Sequence, residues 1–236
     1  MVPAFGEWLD RVLEKCAQDA GEDIGTYVAR AVGSQMVADS RGADGVSIEE
    51  LVAHLAEAGV VVDLPMPNLS AVINDPDRLR VLHATGLLDT PPEPIYDRIT
   101  RAAAEALDAP QAAVSLVDAN RQFFKSTAGM KLKTEADRQT PLERSVCQYV
   151  VATGTSLALE DARVDPIFKN HPAVLDGTLV AYLGVPLVDR DDNAIGTLCV
   201  FDTKPRMWST GHVQVLSDLA EIAADRMFGS GAAPHR

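Results

Sequence analysis

The sequence predicts an α+β fold in which an antiparallel sheet carries helices on its faces. Long apolar segments rich in Val, Leu, Ala and Ile predict strands over 178–189 and 194–203, and the acidic turn 191–193 joins them. Before and after these strands, apolar residues recur at helical spacing, which predicts the helices. Gly184 and Gly196 interrupt the two strands, and such glycines indicate a bulge or a close approach to the backbone.

Residues 1–60 are predicted to form a small helical segment. Their apolar spacing indicates a first helix that ends at Gly21, a second over 23–39 and a third over 47–59, which begins with a capping box. Residues 61–73 contain two prolines, which block a helix, so they are expected to form an extended linker.

Residues 74–228 are expected to form one domain, and residues 229–236 a disordered tail. An N-cap and first-turn proline, Asp75-Pro76, opens the domain. The predicted elements are, in chain order, helices over 76–85 and 93–107, strands over 112–118 and 122–126, a polar loop over 128–140, a helix over 141–152, a short strand over 156–159, a turn over 166–170, the two long strands, and a helix over 210–228.

Composition limits the classes of function. The chain is 47% hydrophobic, which is ample for a core, but its apolar runs are too short for a membrane helix and its start lacks the pattern of a signal peptide. We therefore expect a cytoplasmic protein that does not bind a membrane. The net charge of −13 repels phosphate backbones, so a nucleic-acid partner is not expected.

The cysteines and histidines give no sign of a metal site. Cys16, Cys147 and Cys199 are odd in number and scattered along the chain, which argues against a disulfide framework and against metal-ligand spacing. The five histidines are equally dispersed. No metal site is predicted.

Three stretches carry a family resemblance. RLRVLHATGLLDTPPEPIYDRITRAAAEALDAPQAAVSLVDANRQFFKSTAGM resembles the first half of GAF domains, the small-molecule sensor modules of bacterial signalling proteins. SVCQYVVATGTSLALEDARVDPIFKNHPAV and YLGVPLVDRDDNAIGTLCVFDTKPR resemble the second half. Over residues 74–228 the resemblance implies a six-stranded antiparallel sheet with helices behind it and a ligand pocket over its front.

The resemblance does not name the ligand, because members of this family bind cyclic nucleotides, bilins, haem, amino acids, nitrate or no known ligand. The Asn-Lys…Phe…Asp-Glu pattern of the cyclic-nucleotide members is not found. Cys147 is followed by Gln148 rather than by the histidine that usually follows the cysteine of bilin-binding members. The clustered cysteines of the free methionine-sulfoxide reductases are absent as well. Ligand and cofactor therefore stay unassigned.

Six residues are the candidates for ligand contact. Four are the aromatic side chains nearest the expected pocket mouth, and they are joined by a cysteine and an aspartate: Phe124, Phe168, His171, Tyr182, Cys147 and Asp161. The alternatives are a space-filling role for the cysteine and turn capping for the aspartate. A further cluster, Arg121, Lys125 and Arg138, either receives an anionic group of a ligand or is solvated surface charge.

The sequence favours a stand-alone, non-enzymatic sensor that binds a small ligand or a signalling protein. The helices over 76–85 and 210–228 are expected to pair across a homodimer, as flanking helices of the family do. One alternative is a thiol-based redox sensor or reductase that uses Cys147 and Cys199. Another is a scaffold that docks a partner through the N-terminal helices. Nucleophile-elbow and phosphate-loop motifs are missing, which favours a binding protein over an enzyme.

Overall fold

The computed structural model describes residues 7–19, 21–40, 68–132 and 134–229, together with positions 51, 54, 55, 58 and 60. The chain divides into two compact units, residues 1–67 and 68–236. Most of the predicted third helix, the greater part of the linker and residues 230–236 of the predicted tail lie outside the described residues.

The N-terminal unit contains helices α1 (Glu7–Asp19) and α2 (Ile24–Ser40), as the sequence predicts. Gly21 lies between them with φ +71°, a backbone conformation that favours glycine. The Arg30 guanidinium pairs with Glu22 at 3.1 Å and lies over the ring of Tyr27. Several large apolar side chains of this unit are exposed: Trp8, Leu9, Val12, Val32 and Met36.

The second unit is built on a six-stranded antiparallel sheet, which confirms the expected fold class. Its strands are β1 (Gln111–Val117), β2 (Arg121–Ala128), β3 (Gln139–Pro141), β4 (Leu157–Leu159), β5 (Ala181–Val188) and β6 (Ala194–Asp202), in the order β3-β2-β1-β6-β5-β4. The strand β3 lies at the edge, where Arg121 pairs with Pro141. Gln139 and Thr140 are the last two residues of the predicted polar loop, and Pro141 follows it. The segment shows no alternation of apolar and polar residues, so the sequence does not predict a strand here.

Helices cover both faces of the sheet. The helices α5 (Pro94–Ala106) and α8 (Thr210–Phe228) pack on one face, which we call the helix face, and α4 (Pro76–Ala84) contacts β6. The core of the helix face is formed by alternate strand residues and by apolar residues of these helices, among them Val114, Leu183, Val185, Leu187, Leu198, Val200, Ile99, Ala103, Leu216 and Ala220. Before α4, a short helix α3 (Ser70–Ile73) occupies the end of the predicted linker, and its Ile73 is buried.

The opposite face, which we call the pocket face, is covered only in part. The helix α6 (Cys147–Thr153) packs against β6, β5 and β1, and α7 (Pro172–Leu175) follows later in the chain. The predicted continuous helix over 141–152 is wrong, because a 3₁₀ turn at Leu142–Arg144 is separated from α6 by Ser145 in an extended conformation. The Ser145 hydroxyl donates to the side-chain carbonyl of Gln122, and this bond ties the break to β2.

Both glycines within the long strands mark close approaches, as predicted. A Cβ atom on Gly196 would lie 2.0 Å from the backbone oxygen of Ser115 on β1, so only glycine fits between these strands. A Cβ atom on Gly184 would lie 2.3 Å from the hydroxyl oxygen of Tyr182. The absent side chain thus leaves room for the Tyr182 ring to lie along its own strand.

The strand β2 contains a bulge at Lys125. On β1, Val114 pairs with Ser126 and Ser115 pairs with Phe124, so Lys125 has no partner of its own. Phe124 therefore points to the pocket face, whereas Lys125 and Ser126 both point to the helix face, where Ser126 Oγ donates to Asp97 at 2.6 Å.

Candidate ligand pocket

A pocket of about 560 Å³ opens over the pocket face of the sheet, within the range found for small-molecule sites. Strands, the segment around Lys131 and the starts of α6 and α7 contribute to its wall. The lining residues include Gln111, Gln122, Phe124, Met130, Lys131, Asp137, Arg144, Val146, Cys147, Leu179, Tyr182, Cys199 and Phe201. The wall thus combines aromatic and aliphatic groups with amides and charged groups.

The floor of the pocket contains two thiols and a phenol in mutual contact. Cys147 Sγ lies 3.9 Å from Cys199 Sγ, and the Tyr182 hydroxyl donates to Cys147 Sγ at 3.3 Å. All three residues are buried. The hydrogen bond with Cys199 lowers the pKa of Cys147 to about 7 against the effect of burial, and the same contact together with burial raises the pKa of Cys199 well above its usual value.

A chain of buried side-chain hydrogen bonds supports this floor. Gln122 Nε2 donates to the Ser115 hydroxyl at 3.0 Å, and the amide oxygen of the same Gln122 accepts the bond from Ser145. Ser115 and Gln122 lie on neighbouring strands, while Ser145 lies two residues before Cys147, the first residue of α6. The network therefore fixes α6, and with it Cys147, over the sheet.

Two cationic side chains and one carboxylate line the pocket. Arg144 is engaged with the carboxylate of Asp176, whose pKa is lowered to about 2 by the hydrogen bonds from Thr178 and from Arg144. Asp137 caps a turn by accepting from the Thr134 backbone N–H at 2.8 Å. The Lys131 ammonium makes no ion pair with any residue that the structure describes, so it is the cation available to a ligand.

The structure brings three of the six candidate residues to this pocket, namely Phe124, Cys147 and Tyr182. The other three lie outside its lining. Phe168 and His171 are buried in an aromatic cluster with Tyr149, with ring centroids 4.8 Å apart for Tyr149 and Phe168. Asp161 pairs with Arg163 at 2.7 Å and accepts from the Arg163 backbone N–H, which is the capping alternative considered for it.

Arg121, Lys125 and Arg138 all make contacts within the protein, and of the three only Arg121 is partly exposed. All three anchor the segment 87–93, which connects α4 to α5. Arg121 forms two hydrogen bonds with Asp89, at 2.7 and 2.9 Å, and Arg138 donates to the backbone oxygen of Thr90 at 2.8 Å. Lys125 is fully buried and contacts Glu93 at 2.7 Å, the Thr90 hydroxyl at 2.6 Å and the Pro91 carbonyl at 2.9 Å.

Two features of the pocket could not be predicted from sequence spacing. The cysteines are 52 positions apart, and only the packing of α6 against β6 brings them together, so scattered positions did not exclude a thiol cluster. Lys131 lies in a polar loop whose side chains show no periodicity. The one available signal was its position just after the strand that carries Phe124.

The aromatic cluster beside the pocket makes the stability of the protein depend on pH. Burial, and the nearby positive charge of Arg144, lower the pKa of His171 from 6.5 to about 4. As the pH falls from about 6.5 to about 4, the unfolded chain binds a proton that the folded chain does not, so stability is lost across this window. The full shift corresponds to about 3 kcal/mol.

We expect H171N to abolish the pH dependence of stability that His171 causes. His171 Nδ1 accepts from the Ala173 backbone N–H at 3.2 Å, and asparagine retains an N-cap acceptor without titrating. Chemical denaturation at a series of pH values should therefore show a shallower loss of stability for H171N between pH 6.5 and 4. Equal slopes for both proteins would contradict the assignment, and H83N, at an exposed histidine, is the control.

Within the described residues, none of the helices has the length and apolarity needed to cross a bilayer.

Comparison with known proteins gives a curated relative that matches part of this chain. A cyclic di-GMP phosphodiesterase of Pseudomonas aeruginosa is 32% identical over 122 residues, a match that covers 51% of this chain and 20% of that protein. This chain thus spans about a fifth of the length of its curated relative.

Solved structures similar to this chain include two bacterial proteins. The GAF domain of an Acinetobacter phosphoenolpyruvate-protein phosphotransferase is 19% identical with a TM-score of 0.44, over 68% of this chain and 97% of that one. A free methionine-R-sulfoxide reductase from Neisseria meningitidis is 18% identical with a TM-score of 0.46, over 70% of this chain and 92% of that one.

The family assignment rests on the sequence profile of GAF domains, which matches residues 91–227. This segment begins just before α5, includes all six strands and ends within α8, so the match covers the sheet and the whole pocket face. It also covers more than half of the chain, and the chain belongs to the GAF domain family.

Proposed function

We propose that this protein is a non-enzymatic sensor that binds a small organic anion with a planar apolar part. The observation that carries the proposal is the pocket of about 560 Å³, whose wall combines aromatic side chains with a cation, Lys131, that has no ion-pair partner among the described residues. Phe124 and Phe201 offer surfaces for the planar part, and Lys131 offers a charge for a carboxylate or phosphate.

The way in which binding would be reported follows from the elements around the pocket. A ligand that contacts Cys147 and Arg144 touches both sides of the break at Ser145. That break is held to the sheet by Gln122, so the ligand would bias the position of α6. We propose that a signalling protein, or a second copy of this chain in a homodimer, responds to this change in the cytoplasm.

The proposal predicts a specific thermal shift. Members of a panel of aromatic carboxylates and nucleoside monophosphates are expected to raise the Tm, whereas the matched uncharged amides and nucleosides are not. A ligand present at 100 times its Kd adds about 2.7 kcal/mol, which is a rise of about 5–10 °C for a domain of this size.

The variant K131Q tests the role of the cation. Loss of one charge-assisted contact should weaken binding by about tenfold or more. K204Q, which changes a lysine outside the pocket lining, should bind as the unmodified chain does. The proposal fails if no anionic member of the panel raises the Tm more than its neutral counterpart, or if K131Q and K204Q bind equally well.

A further inference from the structure

The proposed ligand binding gives no role to the close pair of thiols at the floor of the pocket. Cys147 is the first residue of α6 and Cys199 lies within the central strand β6, yet their sulfur atoms are 3.9 Å apart. Both side chains line the pocket, with residual exposures of 3% and 1%. A small solute that enters the pocket therefore reaches both sulfurs, whereas the bulk surface does not.

The surroundings of the two sulfurs differ and assign them different roles. Cys147 Sγ accepts a hydrogen bond from the Tyr182 hydroxyl at 3.3 Å and faces the Cys199 thiol, so two donors stabilise its thiolate. The Cys199 thiol instead has two acceptors for its single proton, the Cys147 sulfur and the backbone oxygen of Ala113 at 3.7 Å, and both favour its protonated form. Cys147 is thus the nucleophile and Cys199 the second thiol.

We propose that Cys147 and Cys199 form a redox modification site, at which a hydroperoxide that enters the pocket converts the two thiols into a disulfide. The Cys147 thiolate attacks the terminal oxygen of the peroxide, the O–O bond breaks, and the leaving alkoxide takes the thiol proton and departs as an alcohol, or as water from hydrogen peroxide. Cys199 then attacks the Cys147 sulfenic acid, the S–O bond breaks, and its proton leaves with the hydroxide as water. In total the two thiols lose two electrons and two protons, and the peroxide is reduced by the same two electrons.

Disulfide formation would change the floor of the pocket. The sulfur atoms must move from 3.9 Å to the bonding distance of about 2 Å, which draws the first residue of α6 towards β6. The Tyr182 hydroxyl then loses its thiolate acceptor. The oxidation itself requires no bound ligand, so its test is independent of the thermal-shift test of the proposed function.

The test uses the full chain and counts thiols by intact mass. The reduced protein, freed of reductant, is treated with hydrogen peroxide, quenched, unfolded and alkylated with N-ethylmaleimide. We expect three alkylated cysteines before oxidation and one afterwards, on Cys16, which is the internal control outside the pocket. Because the contact with Cys199 and the hydrogen bond from Tyr182 lower the pKa of the Cys147 thiol, Cys147 should react at least about tenfold faster than Cys16.

Two serine variants separate the steps. C199S should stop at the sulfenic acid, which dimedone traps on Cys147, and C147S should leave Cys199 unoxidised at the same dose. Phenylarsine oxide, which bridges adjacent thiols, should bind the unmodified chain one to one and bind neither variant. The inference is overturned if all three cysteines stay alkylatable after peroxide treatment of the folded chain, or if Cys16 is oxidised as fast as Cys147. The thiol counts on the unmodified chain decide the matter even if a serine variant does not fold.

Discussion

The variant K125M is expected to lower the free energy of unfolding by about 3 kcal/mol, because it leaves the buried surroundings of the ammonium without their cation. Lys125 is fully buried on the helix face, and its ammonium contacts Glu93, the Thr90 hydroxyl and the Pro91 carbonyl. Methionine fills a similar volume, so the loss isolates the charge of Lys125, its hydrogen bonds and its cation–π contact with the Tyr96 ring. The Glu93 side chain is 37% exposed and can be partly rehydrated, which places the effect at the lower end of the range for broken buried pairs.

Thermal unfolding of K125M should then begin about 6–12 °C lower. The matched control is R80M, which breaks an ion pair of the same kind, Arg80 with Asp77, whose two side chains are 72% and 67% exposed. Such a surface pair contributes at most about 1 kcal/mol. If K125M and R80M unfold at the same temperature, the free-energy cost of burying the Lys125 ammonium equals the stabilisation that its contacts give. Segment 87–93 would then be held in place by other interactions.

The substitution G129A should cost at least about 4 kcal/mol or prevent folding, since it combines two penalties. Gly129 follows β2 directly and has φ +73°, where a side chain is strained. An added Cβ would also lie 1.8 Å from the backbone oxygen of Pro110, just before β1. Backbone atoms cannot rotate away as a side chain can, so the start of β1 must move.

A second glycine separates the two penalties. Gly86 has φ +63°, but among the described residues other than its two chain neighbours no heavy atom lies within 4 Å of an added Cβ. G86A should therefore cost only the strain of the left-handed conformation, about 1–2 kcal/mol. Urea unfolding of both variants measures the difference. Equal losses for G129A and G86A would show that the chain around Pro110 accommodates a methyl group. Because Gln111, Met130 and Lys131 line the pocket beside this contact, G129A is also expected to weaken ligand binding.

Periodicity predicts most of the fold and less of the pocket. The long strands were readable as continuous apolar runs because both of their faces are buried, and the helix over 210–228 was readable because it buries one regular face. The observed strands differ from the predicted ones by at most three residues at either end. The Asp75 cap was readable as well, and its carboxylate accepts from the backbone N–H groups of Asp77 and Arg78. Asp165 likewise accepts from two backbone N–H groups in the turn that follows it.

The failures share a physical cause, which is contact between segments far apart in sequence. The helix over 141–152 is broken because Ser145 bonds to Gln122 on a distant strand. The short edge strand β3 exists because β2 lies beside it, not because of its own residues. His171 is aromatic and was expected at the pocket mouth, but its ring packs in the cluster with Tyr149 and Phe168. No local pattern contains these partners.

The bulge at Lys125 has a consequence for how sequences of this kind should be aligned. Excision of Lys125 would leave Phe124 next to Ser126, and these two side chains already point to opposite faces. In the shortened strand, side chains would alternate between the two faces without interruption, and every other side chain would stay on its present face. A gap between related chains therefore belongs at this position, and a relative shorter by one residue here would preserve the pocket wall while lacking the buried cation. The presence or absence of one residue at this position would therefore change the buried ion pair on the helix face and leave the pocket face unchanged.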